Sequence, residues 1–279
     1  MTNLLSADWM RLRKSWLFWV TLALAALLTI PPFRAELSEA GRICDPSQGW
    51  AIDEALFQAT MVHAVILAAF VPLFLGVDYH DGTIRNKLIA GHRRSGIYLS
   101  DLLVCLLSVL CLAAVCAAAY ALQAVATHGR IGMDLPHFAR CVLASVCCVM
   151  GFVSLYVMLS LLISSRAYAL LTCIAVFFAM IFISGGLERA LFQAEIARDV
   201  VDFVNGEPVW SEPYRNPAYV GGWKRAVLEW LVDFLPTGQG SMLSNMEAER
   251  VARFPLQSAL FFLLTTGAGL LGFRKKELK

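Results

Sequence analysis

Long apolar runs alternate with short polar segments along the chain, and each run has about the length of a membrane-crossing helix. A helix needs about 20 apolar residues to cross the hydrocarbon core of a bilayer. Six runs come close to this length or exceed it, at about residues 16–33, 56–77, 97–126, 138–163, 168–187 and 255–273. The third is longer than a perpendicular crossing requires, so we expect it to be tilted, kinked or protruding. The pattern predicts an all-α integral membrane protein with six transmembrane helices.

The first residues show a different periodicity, with apolar positions on one side of a helix. Leu5, Trp9, Leu12 and Trp16 recur at i, i+4, i+7 and i+11. Basic side chains lie off that stripe, namely Arg11, Arg13 and Lys14. A basic amphipathic helix of this kind lies in the plane of the membrane surface. We therefore expect residues 1–15 to form an interfacial helix before the first span.

The polar segment between the fifth and sixth runs, residues 188–254, contains two further amphipathic stretches. The first has Phe192, Ile196, Val200 and Phe203, and the second has Trp223, Val227, Trp230 and Phe234. Turn-forming pairs such as Asn205-Gly206 and Asn216-Pro217 separate them. The pattern predicts a small helical cap outside the membrane, and the alternative is a loose loop whose periodicity is accidental.

Composition agrees with a membrane protein and excludes several other classes. Hydrophobic residues make up 58% of the chain and charged residues 16%, whereas soluble domains have about 25% charged residues. A net charge of +2 gives no electrostatic support for a nucleic-acid partner. Of the eight cysteines only Cys44 lies in a polar loop, and no CxxC pair or disulfide framework is present.

The distribution of Lys and Arg predicts the orientation of the spans. Basic residues concentrate before the first span, between the second and third, and after the sixth, while the short loops on the other side hold few. Positive loops face the cytoplasm, and an even number of spans then places both termini there.

The basic N-terminus followed by an apolar run resembles a signal peptide, but Pro31-Pro32-Phe33-Arg34 follows in place of a cleavage site. We interpret the run as a retained span.

Motifs of catalysis are missing from the sequence. It has no GxxxxGK[ST], HExxH or GxSxG, and no His or Cys cluster at metal-ligand spacing. We therefore expect no catalytic residue, metal ion or resident cofactor.

Polar residues inside spans are candidates for a transport path because they are costly in lipid, and here they include His63 and Gln123. For His63 the alternative is a hydrogen-bonded interhelical histidine. No Asp, Glu, Lys or Arg is expected deep in a span, which argues against an ion-coupled carrier.

The loop after the second span, residues 78–96, has the clearest structure of its own. It carries four basic residues, which are Arg85, Lys87, Arg93 and Arg94. Asp81 can cap a helix that starts near Thr83, and Gly91 ends or bends that helix. Ile84 and Leu88 share one face, while Arg85 and Lys87 point elsewhere. Such a helix could dock into a groove on a cytoplasmic partner, and an ordinary positive-inside loop remains the alternative.

The same residues carry a family resemblance. Asp81-Gly-Thr-Ile-Arg-Asn-Lys-Leu-Ile, followed by Gly91-His-Arg-Arg-Ser-Gly-Ile-Tyr-Leu-Ser100, resembles the loop after the second span in ABC-2 type permeases of bacterial ABC transporters. Phe234-Leu-Pro-Thr-Gly-Gln239 in the outer segment and the tail Gly272-Phe-Arg-Lys-Lys-Glu-Leu-Lys279 are also similar to such permeases.

This resemblance implies a single transmembrane domain over residues 1–279, paired as a homo- or heterodimer of permeases in the bacterial plasma membrane. It implies two separate ABC ATPase subunits, which would bind the ATP and Mg²⁺, and a function in export. The coupling helix that docks on the ATPases would comprise Asp81, Gly82, Thr83, Ile84, Arg85, Asn86, Lys87 and Leu88. The absence of a nucleotide motif agrees with that division of labour.

Two other functions remain open on the sequence. A secondary transporter or channel would work without an ATPase, and a non-transporting resistance or sensor subunit would show no substrate-dependent flux. An intramembrane enzyme is more remote, because no paired nucleophile and base occurs in the spans.

Overall fold

The computed structural model describes residues 2–43, 50–51, 53–198, 200–204, 207–244 and 251–276. Helices dominate these residues, with the bounds α1 Thr2–Lys14, α2 Trp16–Leu27, α3 Ile30–Ile43, α4 Asp53–His80, α5 Thr83–Ile89, α6 Arg94–Thr127, α7 Leu135–Leu162, α8 Arg166–Leu191, α9 Gly222–Phe234, α10 Pro236–Ser244 and α11 Phe254–Lys275. Cys44 and the last three residues of the tail lie outside the described part.

Six spans are confirmed within the described residues. The segments long and apolar enough to cross a membrane are Trp16–Ala35, Leu56–Tyr79, Arg94–Thr127, Leu135–Leu162, Arg166–Leu191 and Val251–Lys275. The first is formed by α2 together with the start of α3. Because successive spans alternate in direction, α5 lies at one end of the bundle, here called the α5 end, and α9 and α10 lie at the other.

The break between α2 and α3 occurs where the sequence places two prolines. Pro31 and Pro32 lie in the first turn of α3, where a missing N–H costs no helical hydrogen bond. The hydroxyl of Thr29 donates to the carbonyl of Ala26 over 2.7 Å, and Nε2 of Gln123 in α6 donates to Thr29 Oγ1 over 2.9 Å. This bond fixes the break of the first span against the third.

The spans pack around α7, which contacts α4, α6, α8 and α11. The large apolar core runs between them and includes fully buried aromatic side chains such as Phe152 and Tyr156. Apolar residues also cover the outside of the bundle, since Phe182 of α8 is 78% exposed and Leu256 of α11 is equally exposed. An outer surface of this kind is stable in lipid and would be unfavourable in water.

The segment between α8 and α11 is only partly helical, which corrects one prediction. The stretch from Phe192 to Phe203 does not form a helix: Ile196–Ala197 pairs with Tyr214–Arg215, and Val200–Val204 pairs with Glu207–Trp210, both antiparallel. The second amphipathic stretch is helical and forms α9. Over so short a run, Val, Phe and Ile near turn residues fit a hairpin as well as a helix. The helical periodicity of this stretch therefore predicted the wrong secondary structure. The Asn205-Gly206 turn lies outside the described residues.

Helix α10 lies inside the bundle at the end opposite α5. Seven of its nine residues are buried, and its start bonds to two spans: Cys148 Sγ lies 3.1 Å from the carbonyl oxygen of Pro236, and Thr237 Oγ1 donates to Met180 O over 3.0 Å. Gln239 is fully buried; it donates to Asp233 O and accepts from the hydroxyl of Ser258. The sequence Pro-Thr-Gly-Gln239 therefore builds a packed re-entrant turn rather than a surface cap.

Candidate functional site

A group of charged side chains, here called the charge cluster, joins α5 to three other helices. Its centre is the ammonium of Lys87, whose Nζ lies 2.9 Å from Asp8 Oδ1, 3.2 Å from Asp78 Oδ2 and 3.5 Å from Asp101 Oδ1. The three aspartates are at most 3% exposed and belong to α1, α4 and α6. A single lysine of α5 is thus bonded to three other helices at this end.

Arg11 of α1 is the second cation of the charge cluster. Its guanidinium forms an ion pair with Asp78 and lies 3.9 Å from Asp101 Oδ1, and its carbon Cζ lies 4.3 Å from the centre of the Phe74 ring. This stacking places the planar cation between an aromatic face and a carboxylate, a geometry that suits arginine.

Two hydroxyls donate further hydrogen bonds to two of the three carboxylates. Ser100 Oγ donates to Asp8 Oδ2 over 2.7 Å, and Thr83 Oγ1 donates to Asp78 Oδ1 over 3.2 Å. Oxygens of the three carboxylates lie within 4.8 Å of one another, a spacing that would also suit a metal ion. Here the ammonium of Lys87 lies among these oxygens and supplies the positive charge.

The environment keeps both cations protonated. Burial disfavours the charged form of Lys87, but Asp101, Asp78 and Asp8 outweigh burial and raise its pKa above the ordinary value. Burial likewise opposes the charge of Arg11, and Asp78, Asp101 and Asp8 raise its pKa. Three carboxylates still face only two cations, so removal of either cation would leave strongly unbalanced charge.

The structure places the predicted coupling residues on two different faces of α5. Ile84 is 2% exposed, Leu88 is partly buried against the core and Lys87 points into the charge cluster. The face that Ile84 and Leu88 share therefore turns toward the core, and docking of α5 on a partner stays a prediction for its other face. The exposed face consists of Arg85, Asn86 and Ile89, and Ile89 is 75% exposed.

Glycines determine both ends of α5. Gly82, with φ 66°, is the N-cap residue and has no side chain to bond the free N–H groups. Capping by Asp81 stays a prediction. At the other end Gly91 has φ 85°, its N–H donates to Leu88 O, and His92 N–H donates to Lys87 O. This is a Schellman motif, and it confirms that Gly91 ends the helix.

A second set of bonds, here called the C-terminal clasp, lies at the same end of the bundle. Arg94 at the start of α6 donates to the carbonyls of Phe273, Arg274 and Lys276. The ammonium of Lys276 donates to Tyr79 Oη and to Leu161 O, each over 2.9 Å. The clasp joins the end of α11 to α4, α6 and α7.

The two predicted substrate-path residues lie apart in different surroundings. His63 is buried and lines an apolar cavity of about 250 Å³ between α4, α6 and α7, with Val109, Phe138 and Val142. Gln123 is not among the residues that line this cavity; its side chain bonds Thr29 and the carbonyl of Ala119. The structure therefore does not bring these two residues into one path.

Sequence reasoning missed the three aspartates of the charge cluster. Asp101 lies near the start of the predicted third span and is fully buried, and the expectation that no acidic residue lies deep in a span did not cover this position. The signal was available: Asp8 shares the buried face of α1 with Leu4 and Leu12 at i, i+4 and i+8, and Asp101 interrupts an apolar run. A carboxylate in such positions requires a cation nearby.

The fold and site define a class: a multi-pass membrane protein whose short loop helix is tied by buried ion pairs to its spans. The sequence model described as ABC-2 family transporter protein matches residues 4–182. A comparison with curated proteins finds no match. The family match covers more than half of the chain, including most of α1, the charge cluster, the first four spans and most of the fifth. The chain belongs to the ABC-2 family and is the membrane subunit, or permease, of an ABC transporter.

Proposed function

We propose that this permease forms the translocation path of an ATP-driven exporter and that ABC ATPase subunits dock on the exposed face of α5. In this proposal residues 78–96 are the cytoplasmic coupling loop, residues 188–254 lie on the outer side, and both termini are cytoplasmic in a bacterial plasma membrane. A second permease subunit completes the path, lipids surround the spans, and the partner ATPases bind ATP and Mg²⁺.

One observation carries the proposal: Lys87 on the inner face of α5 bonds carboxylates of α1, α4 and α6, while Arg85 and Ile89 remain exposed. A force applied to the outer face of α5 is transmitted through short ion pairs to the second and third spans. Because these ion pairs are direct, at 2.9 to 3.5 Å, we expect the helices of this end to move together. Two-state rocking of spans is a common way to couple such motion to transport.

The position of α5 at the basic end of the bundle supports a cytoplasmic location. Arg13, Lys14, Arg93 and Arg274 are exposed at this end. Basic side chains near span ends favour the cytoplasmic side, where ATP is available. Export as the direction follows from the family resemblance of the loop and tail, and flux into inside-out vesicles on addition of ATP tests it.

The docking proposal is tested with a double variant on the exposed face, Arg85→Glu with Ile89→Asp. We expect at least about a tenfold loss of ATPase that copurifies with the permease, because both charge and apolar contact are reversed. Arg130→Glu with Ile131→Asp is the matched control, since both residues are exposed and lie at the opposite end. Equal amounts of copurifying ATPase in the two variants would refute docking on α5. ATP-independent flux in proteoliposomes of the permease alone would instead favour a secondary transporter or channel.

A further inference from the structure

A cavity of about 450 Å³ opens at the α5 end between the start of α2, the last turns of α4 and the start of α8. Three cationic side chains line it, namely Arg11 and Lys14 at the end of α1 and Arg166 at the start of α8. Its remaining wall is largely apolar and includes Leu73 and Phe74 of α4. A cavity with a basic rim and an apolar wall is complementary to an amphipathic anion.

The charge of this rim is only partly neutralised by the protein. Arg11 is ion-paired with Asp78 in the charge cluster, and Lys87 shares the same carboxylates. Lys14 and Arg166 are exposed, and neither forms an ion pair with a carboxylate in the described part of the chain. No Asp or Glu is among the residues that line the cavity. Two unpaired positive charges therefore face its opening.

The position of Arg166 depends on a close approach between two helices. A Cβ atom added to Gly76 of α4 would lie 2.6 Å from Arg166 Cγ and 2.9 Å from its Cβ. The absence of a side chain at Gly76 thus allows the stem of Arg166 to lie directly against α4. The cation is held beside Leu73 and Val77 by packing, so the basic rim is a built feature of the fold.

The cavity lies at the level of the membrane interface. Trp16, Val77 and Arg166 line it and lie at or near the ends of three candidate spans. Trp16 is 74% exposed, and the neighbouring Trp19 is 58% exposed and donates its indole N–H to Arg13 O over 2.9 Å. Exposed tryptophans with a polar contact are typical of the headgroup region. Basic pockets between spans at this depth bind anionic lipid headgroups.

We propose that this cavity binds an anionic phospholipid, with its phosphate at Lys14 and Arg166 and an acyl chain along Leu73 and Phe74. A lipid fits better than a free phosphate ion, because the ion would leave the apolar wall uncovered. Since Arg11 belongs to both the cavity and the charge cluster, the lipid lies next to the residues that hold α5. The proposal does not depend on ATPase docking.

The test uses the full-length permease without its ATPase, in nanodiscs or detergent, and native mass spectrometry to count bound lipids. We expect one phosphatidylglycerol to be retained under conditions that remove phosphatidylcholine. Lys14→Gln with Arg166→Gln should weaken this binding by about thirtyfold, taking about 1 kcal/mol for each basic residue near the membrane surface. Both residues are exposed, so the double variant should fold, and its unfolding temperature in phosphatidylcholine checks this.

A second double variant, Arg13→Gln with Arg93→Gln, is the control, because it removes the same charge from exposed positions outside the cavity. It should bind phosphatidylglycerol like the original chain. Equal weakening in both double variants would mean a general surface-charge effect and would overturn the site. Displacement of the lipid by millimolar inorganic phosphate would identify a free-anion site and would overturn the lipid proposal.

Discussion

The ammonium nitrogen of Lys87 lies 2.9 Å from Oδ1 of Asp8, a contact between residues 79 positions apart in the sequence. It joins the N-terminal helix to the loop after the second span, and neither of the two helices that it connects is a span. Both residues are largely buried, with side-chain exposures of 12% and 3%. The contact ties α1 to the loop after the second span, and its consequences can be measured.

Replacement of Lys87 by Met should strongly destabilise the folded permease. Removal of one partner of a buried ion pair costs about 3–5 kcal/mol, because the remaining charge is left uncompensated, and here three carboxylates would share only Arg11. Denaturant unfolding in detergent micelles measures the loss. Arg85→Met, on the exposed face of the same helix, should change the free energy of unfolding by no more than about 0.5 kcal/mol. Similar losses in the two variants would contradict the role given to Lys87.

Asp101→Asn should be much milder than Lys87→Met, although Asp101 is the more deeply buried residue. Neutralising it leaves two carboxylates for two cations, and its Oδ2 has no hydrogen-bond partner in the described structure. The same unfolding experiment ranks the two variants. If Asp101→Asn were the more damaging change, the charge balance assigned to the cluster would be incorrect.

The C-terminal clasp predicts a pH dependence. Burial lowers the pKa of Lys276 from 10.5 to about 8. The unfolded chain therefore binds more protons than the folded chain between these values, so this lysine makes stability rise as pH increases from about 8 to 10.5. The unfolding temperature of the original protein should rise more across this window than that of Lys276→Met, because methionine does not titrate. The difference between the two curves removes the contribution of the other titrating groups. Parallel curves would show that Lys276 is not desolvated in the clasp.

Gly238 in the re-entrant α10 should tolerate no side chain. A Cβ there would lie 2.3 Å from the carbonyl oxygen of Val232, which is backbone and cannot move aside cheaply. Gly238→Ala should lower the free energy of unfolding by about 1–3 kcal/mol. Gly186→Ala in α8 is the control: nothing lies within 4 Å of its added Cβ, and alanine favours a helix interior. A neutral Gly238→Ala would show that α10 packs more loosely than described.

The spans could be predicted from the sequence because lipid imposes one strong rule on apolar length. All six predicted runs overlap the observed helices, and the errors are limited to their ends, as where α8 continues to Leu191. The secondary structure of the segment between α8 and α11 was harder to predict, because over about ten positions the same apolar pattern fits a helix and a hairpin. Val200 and Phe203 fit either period, and only pairing with Glu207–Trp210 decides between them.

The position of α5 in the sequence could be predicted, but the face of α5 that turns toward the core could not. Turn and helix signals located α5 correctly, since Gly91 and the start at Thr83 are local features. Which face of α5 turns inward depends on Asp8 and Asp101, which come from distant segments of the sequence. The helical spacing predicts only that Lys87 points away from Ile84 and Leu88, and the buried carboxylates that bond it were not recognised as a group.

Helix α6 has 34 residues, which corresponds to about 51 Å at 1.5 Å per residue, whereas the hydrocarbon core is roughly 30 Å thick. It is a continuous helix with the charge cluster near one end and the short strand Gly129–Arg130 just beyond the other. In a helix of this length, a tilt of about 5° about one end displaces the other end by about 4 Å. A small change of angle at the loop after the second span would therefore produce a displacement of several ångströms at the far end of α6.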